Sequence, residues 1–357
     1  MKTPRVSVII PVFNNRAHVG AAIRSVLAQS LRDFELIVVD DASSDGSPEV
    51  VAQFADDRIR LFRHSKNEGV GAARNHGLDV AHGEFVAPLD ADDLFAPNRL
   101  LEQVHMMECR PRLGLCGSWV RVFGGGQIPF LMTVPSGAEV VRASMLLTNP
   151  FVHSSVLLRR SVLLEHGLRY PAGQPAAIDY DLWRQCARVT EIDNIPRPLS
   201  CYRRNPAGIT SRHGSYANQR LLSGLRKELD PLFPGLDDSA LRFHAEVGHG
   251  SGMRSEVELA LARDWLTNLL ARNRLSGIQS AGGLEAAVAH AWFRVCRNSS
   301  HLGRAAVRAW FAAPWREAYR PIASEWAGFV ASLALAKAVP SRRFPQARLG
   351  LEAESSP

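Results

Sequence analysis

Along the first half of the chain, apolar and polar positions come in blocks. Val6-Ser7-Val8-Ile9-Ile10 is a short apolar run stopped at Pro11, and Glu35-Leu36-Ile37-Val38-Val39 repeats the pattern before Asp40-Asp41. Ile59–Phe62 and Glu84–Leu89 are two more such runs, the second ending at Asp90. Short apolar runs bounded by turn formers suit strands buried on both faces, as in parallel sheets. Between them, Val19, Ile23, Val26 and Leu27 recur at helical spacing, and Val70–Ala81 reads as a further helix. Ser47 followed by Pro48 predicts a helix start, with serine as N-cap and proline in the first position. Strands alternating with helices, all in one sense, predict an α/β fold with a mostly parallel, Rossmann-like sheet flanked by helices. Ligands of such sheets bind beyond the carboxyl ends of the strands. Pro11, Asp40 and Asp90 all fall at those ends.

Further along, Leu115–Phe123 predicts another strand, broken by Gly124-Gly125-Gly126. From about Tyr216 the pattern turns helical: Val257, Leu261, Trp265 and Leu269 share one face, and Ala286–Val295 continues the theme. This predicts two parts, residues 1–214 carrying the strand-end site and 215–357 forming a helical C-terminal region.

Composition narrows the class. The chain has 357 residues, 46% hydrophobic and 22% charged, which is ordinary for a globular protein with a real core. Its five cysteines are scattered and include no CxxC pair, so reduced thiols and a cytoplasmic setting are expected. No signal peptide is expected ahead of the first strand, and no apolar run is long enough to span a bilayer. The net charge of +7 is concentrated late: residues 291–350 carry ten Lys or Arg against Glu317 and Glu325. There Arg294, Arg297, Arg304, Arg308, Arg316 and Arg320 are interleaved with Trp292, Trp310, Phe311, Trp315 and Trp326. Two readings stand open. Such a segment suits an anionic membrane surface, at the inner face of the membrane; equally, the aromatics pack the helices while the arginines face water. Nothing in it resembles a nucleic-acid reader.

The chemistry is signalled by Asp90-Ala91-Asp92-Asp93, which follows an apolar strand directly. Two carboxylates two apart at a strand end suit a hard divalent cation, which diphosphates need in order to become leaving groups. Three segments accompany it: Pro11-Val12-Phe13-Asn14-Asn15, Asp40 to Ser47, and Asn67-Glu68-Gly69-Val70-Gly71-Ala72-Ala73-Arg74-Asn75. Together, in this order at successive strand ends, they resemble the family 2 glycosyltransferases, over about Val6–Ser211. The resemblance implies the A-type glycosyltransferase fold, a nucleotide-diphosphate sugar donor, a Mn2+ or Mg2+ cofactor, and inverting transfer of one monosaccharide to a glycan or lipid-linked acceptor. Cell-surface glycan or glycolipid synthesis is the setting it suggests.

Carried onto this sequence, the resemblance gives Pro11, Phe13, Asn14, Asp40, Asp41 and Asn67 to the nucleotide, with Asp40 accepting a hydrogen bond from a ring N–H. Arg74 would reach the diphosphate, beside Asp90 and Ala91. Asp92, assisted by Asp90, would hold the metal, and His213 is a further candidate for metal or phosphate. The segment Ile178-Asp179-Tyr180-Asp181-Leu182-Trp183 resembles the family's acidic pair before a helix. It puts Asp179 at the general base, with Asp181 as the alternative. The departure is Ile178, where the family has an acid; it is the one feature favouring a non-catalytic nucleotide-sugar-binding module. His153 and the pair Arg203-Arg204 are secondary candidates. A dinucleotide-binding oxidoreductase is discarded, because Arg74 stands where that fingerprint needs its third glycine. Processive polysaccharide synthases are discarded too, since no Arg-Trp pair occurs.

Overall fold

The computed structural model describes residues 3–338, apart from 127, 172, 175–177, 206, 207 and 209–213. It divides into two compact units: Met1–Ala138 with Phe151–Ala217, and Glu139–Pro150 with Asn218–Pro357. The short segment 139–150 thus joins the later helices, an exchange that no contiguous division of the chain describes.

In the first unit, β1 (Val6–Val12), β2 (Phe34–Asp40), β3 (Ile59–Arg63) and β4 (Phe85–Pro88) lie side by side in the order β3-β2-β1-β4, all parallel. They are connected by α1 (Arg16–Leu27), α2 (Ser47–Ala52) and α3 (Val70–Asp79). Every residue of β2 is buried, as its unbroken apolar run requires. Its one interior acid, Glu35, accepts from Ser7 Oγ (2.6 Å), His82 N (2.7 Å) and Arg60 Nη1 (2.6 Å), which satisfies a charge inside the sheet. Residues such as Ile10, Ile23 and Leu36 are wholly buried; each contributes ~1.5–3 kcal/mol by leaving water.

Beyond β4 the sheet becomes mixed. β8 (Leu157–Arg159) runs antiparallel to β4 and to β6 (Leu113–Phe123). β9 (Glu191–Arg203) runs parallel to β6, and β5 (Leu94–Phe95) antiparallel to β9. β7 (Phe130–Met132) pairs with β6, so the described residues form a nine-stranded sheet. The single-sense alternation read from the sequence holds for the first four strands. α4 (Arg99–Cys109), α6 (Arg160–Glu165) and α7 (Asp179–Val189) complete this unit. One local expectation shifts: Gly46, not Ser47, is the N-cap of α2. The Ser47 hydroxyl donates to Asp45 and accepts from Asn15 N, so it serves two loops instead of the helix end.

The second unit is helical: α5 (Ala138–Ser144, all but its first residue), most of α8 (Gly214–Leu229), α9 (Asp238–His249), α10 (Glu256–Ser276), α11 (Ala281–Asn298), α12 (Arg304–Ala312) and α13 (Ala323–Ala338). Asp237, Ser255 and Ser280 cap α9, α10 and α11 with side-chain oxygens. The buried stripe of α10 is Leu259, Ala262, Leu266, Leu269 and Asn273. Val257 and Leu261, expected on one face with Leu269, are exposed. Trp292, Trp310 and Trp315 are core, so packing is the correct reading for these three aromatics.

Candidate functional site

Two loops build the edge beyond β1 and β2. Asn14 takes a left-handed backbone (φ 48°), which asparagine tolerates better than most residues. Its N–H donates to Ser43 Oγ and its Oδ1 accepts from Ser44 N, each at 2.9 Å, which ties the two loops together. Phe13 beside it is half exposed (49%). Asp40 is buried, with Oδ2 accepting from Ser43 N and facing Arg63 Nε, each at 3.2 Å. Its Oδ1 has no hydrogen-bond partner. A buried carboxylate oxygen left open is costly unless something else donates to it.

The neighbouring Asp41 is fully engaged. Its Oδ1 meets His64 Nδ1 (2.8 Å) and Glu68 N (2.9 Å), while Oδ2 accepts from Gly69 N (2.8 Å). Gly69 makes that last bond with a left-handed backbone (φ 90°), which only glycine adopts freely, and it caps α3. Asp41 therefore fixes the loop carrying Asn67, which is itself exposed. Two residues on, a Cβ added at Gly71 would lie 2.5 Å from the Pro171 carbonyl oxygen, so that glycine lets the backbones approach. The glycines are thus structural, in line with the rejection of the dinucleotide fingerprint.

Beyond β4 the acids gather. Arg74, from the middle of α3, is buried; its Nη2 donates to Asp90 Oδ1 at 2.6 Å, and its guanidinium lies 5.3 Å from the Tyr170 ring centre. His153 Nδ1 is 3.3 Å from the same Asp90 oxygen, and its Nε2 is 3.1 Å from the Tyr170 hydroxyl. Both contacts are satisfied when Nδ1–H donates to Asp90 and the tyrosine O–H donates to Nε2. His153 also stacks on Trp183 of α7, ring centres 6.1 Å apart. Burial favours the protonated form of Asp90, but His153 and Arg74 outweigh it and hold the carboxyl well below its usual range. Burial likewise opposes the charge on Arg74, and Asp90, Tyr170 and Asp179 more than restore it.

Asp92, two residues on, is half buried; Asn205 Nδ2 approaches it at 3.4 Å, and Arg203 Nε donates to its backbone carbonyl at 2.9 Å. Burial and the nearby Asp90 charge push its carboxyl up. Ala91 between them is buried. Asp93 points inward, accepts from Arg203 N at 2.7 Å, and is pushed well up by burial and by its two acidic neighbours. Among the described residues, no group of three or more His, Cys, Asp or Glu side chains forms a metal cage. His213 lies outside the described residues.

Asp179 and Asp181 open α7, where carboxylates favour the helix dipole. They act on different neighbours. The charge of Asp179 is felt by Arg74 and Tyr170, whereas Asp181 faces Arg184 at 3.6 Å. Ile178 is buried, and its Cδ1 would sit 3.3 Å from a Cβ added at Gly71. The departure from the family's acidic pair is therefore the N-cap residue of α7, packed against the start of α3.

Two participants escaped the sequence reading. Tyr170, which links Arg74 to His153, stands in no local pattern that marks it. Arg99 opens α4 and is wholly buried, donating to the Ser154 carbonyl (2.6 Å), the Val156 carbonyl (2.7 Å) and Gln103 (2.9 Å). Its guanidinium lies 3.7 Å from the Phe95 ring centre, and burial lowers its pKa to about 9. It anchors the strip that carries His153.

A parallel half, a mixed half and acidic residues gathered at the strand ends define the A-type glycosyltransferase fold class. A family model, glycosyl transferase family 2, matches residues 7–167. An uncharacterised glycosyltransferase of Haemophilus influenzae is 34% identical over 175 residues, covering 48% of this chain and 68% of that protein. The succinoglycan biosynthesis protein ExoO of Rhizobium meliloti is 33% identical over 178 residues, covering 47% of each chain. The mannosyltransferase PcManGT from Pyrobaculum calidifontis, solved in complex with GDP-Man and Mn2+, superimposes with a TM-score of 0.53. At 20% identity over 95% of this chain and 87% of that one, it shows the shared fold. The chain belongs to glycosyl transferase family 2. It spans between about a third and two thirds of the length of the first curated relatives it matches.

Proposed function

We propose that this chain transfers one monosaccharide from a nucleotide-diphosphate sugar to an acceptor hydroxyl, with inversion at the anomeric carbon and with a divalent metal ion. The observation that carries the reading is the strand order β2-β1-β4. It sets the open acceptor of Asp40, the exposed ring of Phe13 and the half-buried carboxylate of Asp92 beyond three adjacent strands. Asp40 Oδ1 accepts a ring N–H of the base, and Phe13 with Pro11 and Asn14 lines its pocket. Arg74, fixed by Asp90, provides a permanent positive charge beside the diphosphate.

Asp92, assisted by Asp90, fits an ion of the Mg2+ or Mn2+ kind, which uses one or two carboxylates and fills its other positions with phosphate oxygens and water. When bound, such an ion neutralises charge developing on the leaving diphosphate. PcManGT, solved with GDP-Man and Mn2+, supports a nucleotide sugar and a divalent ion here as well. Asp179 takes the proton of the acceptor hydroxyl as its oxygen bonds to the anomeric carbon and the bond to the diphosphate breaks. The likeness to a succinoglycan biosynthesis protein supports a role in polysaccharide or glycolipid synthesis.

Thermal-shift measurements against a panel of nucleotide sugars, with Mn2+ and with EDTA, test the reading. One donor at about 100 times its Kd should stabilise the protein by ~2.7 kcal/mol, in the presence of Mn2+ only. No shift with any donor would overturn it.

A further inference from the structure

Helix α13 is apolar on two opposite faces. One face packs inward: Phe329 is 1% exposed and meets Phe293 edge-on with ring centres 5.9 Å apart. The other presents Ala327, Val330, Ala331, Ala334 and Leu335, all exposed and spaced i, i+3, i+4, i+7, i+8. Val330 is 61% and Leu335 53% exposed, and no charged residue occurs from Trp326 to Ala336. A helix apolar all round is normally covered all round. The patch continues onto α12. There Phe311, also 53% exposed, stacks on Trp326 with ring centres 6.1 Å apart, one turn before Val330. Arg304 and Arg308 share the exposed face of α12 with Phe311, and the Arg316 guanidinium lies 5.5 Å from the Phe311 ring centre.

We infer that this face docks on an anionic lipid surface, with α13 lying in the plane of the interface. No described helix is long and apolar enough to cross a membrane. α13 itself has 16 residues, a length of ~24 Å. The charge fits the occupant: from Arg304 to Ala336 the sequence holds four arginines against two acids, Glu317 and Glu325. One of those acids, Glu325, is buried and accepts from the Tyr319 hydroxyl and Ile322 N. A second copy related by two-fold symmetry would bring these arginines towards their own counterparts, whereas lipid phosphates neutralise them. Exposed aromatic and aliphatic side chains beside arginines are the composition that seats a helix at a headgroup boundary. The inference is independent of the transferase reading, because lipid binding is measured without donor or turnover.

Flotation of the full chain with vesicles decides it. The parent should float with phosphatidylcholine–phosphatidylglycerol vesicles at low salt, and should stay behind with phosphatidylcholine alone or at high salt. The double variant Val330→Asp, Leu335→Asp replaces exposed side chains and should keep the parent's melting temperature while losing about tenfold or more in binding. Arg304→Glu and Arg308→Glu should each cost about fivefold or more. A parent that ignores phosphatidylglycerol at low salt, or a double variant that floats as the parent does, would overturn the proposal. A dimer in sedimentation velocity that the double variant dissolves would overturn it too, by giving the face to a second copy.

Discussion

The two units differ in the polar groups they bury. The first buries acids and arginines: Asp40, Asp41, Arg74, Asp93 and Arg99 are almost wholly enclosed, most of them near the strand ends. The second buries one acid, Glu325, beside neutral rings. His244 Nε2 is 2.7 Å from the Leu146 carbonyl while its Nδ1 accepts from Trp265 Nε1, and burial lowers its pKa to about 4. His249 is likewise lowered to about 4 and His290 to about 3, by burial and then by Arg294. Burying charge is expensive unless partners are placed around it, and a fold keeps such an arrangement where the charges do something. Burying a neutral imidazole costs one hydrogen-bond partner and serves packing. The contrast teaches where to look for chemistry without any motif: in the first unit, at the buried charges whose partners are incomplete.

Removing Asp179 should break that contrast most visibly. Asp179→Asn should slow transfer by about 10²-fold or more while donor binding in the thermal-shift assay stays within error. Unchanged turnover would assign the base elsewhere. Next in size is Arg99→Met, which removes a buried cation, takes the arginine donor from the Val156 carbonyl and leaves the Ser154 carbonyl with the Ser200 hydroxyl alone. A loss of ~3 kcal/mol is expected, read as a lower melting temperature. A melting temperature equal to the parent's would make Arg99 a bystander.

Acidification probes the other unit. The buried histidines bind protons more weakly folded than unfolded, so the stability they contribute is full above about pH 6.5 and is lost as pH falls towards 4. At pH 5, His244, wholly buried, should cost ~2 kcal/mol relative to pH 7. Trp119 and Trp183 belong to the first unit and the other five tryptophans to the second, so fluorescence melts report mainly on the helices. A midpoint equal at pH 7 and pH 5 would contradict the assignment of neutral rings. The smallest effect belongs to Asp181→Asn. It faces Arg184, and its loss should change turnover by less than about threefold.

Much of this was legible in the sequence, for physical reasons. Strands buried on both faces must be apolar throughout, so β1, β2 and β4 announce themselves as blocks, and the acids that end β2 and follow β4 mark the ligand edge. What depends on distant partners was not legible. The mixed half of the sheet follows from which strands pair, and β6, β8 and β9 carry no local sign of their directions. Asp40 and Asp41 look alike as letters, yet one keeps an open oxygen while the other is consumed by His64, Glu68 and Gly69. On α10 two stripes satisfy helical spacing. The neighbouring helices cover the one through Leu259 and Leu266 and leave Val257 and Leu261 exposed. Tyr170 reaches the site only because the fold delivers it to Arg74 and His153.

Divalent-ion binding by the acids beyond β4, with Asp92 the principal ligand, is the step of the proposed function on which departure of the diphosphate depends. The direct measurement is release of nucleoside diphosphate from the matching donor by purified parent and Asp92→Asn protein, each with Mn2+ and with EDTA. Turnover by the parent is expected with Mn2+ only, and a loss of about 10³-fold or more in a variant that melts at the parent's temperature. Turnover by the parent in EDTA, or by Asp92→Asn at the parent's rate, would contradict it.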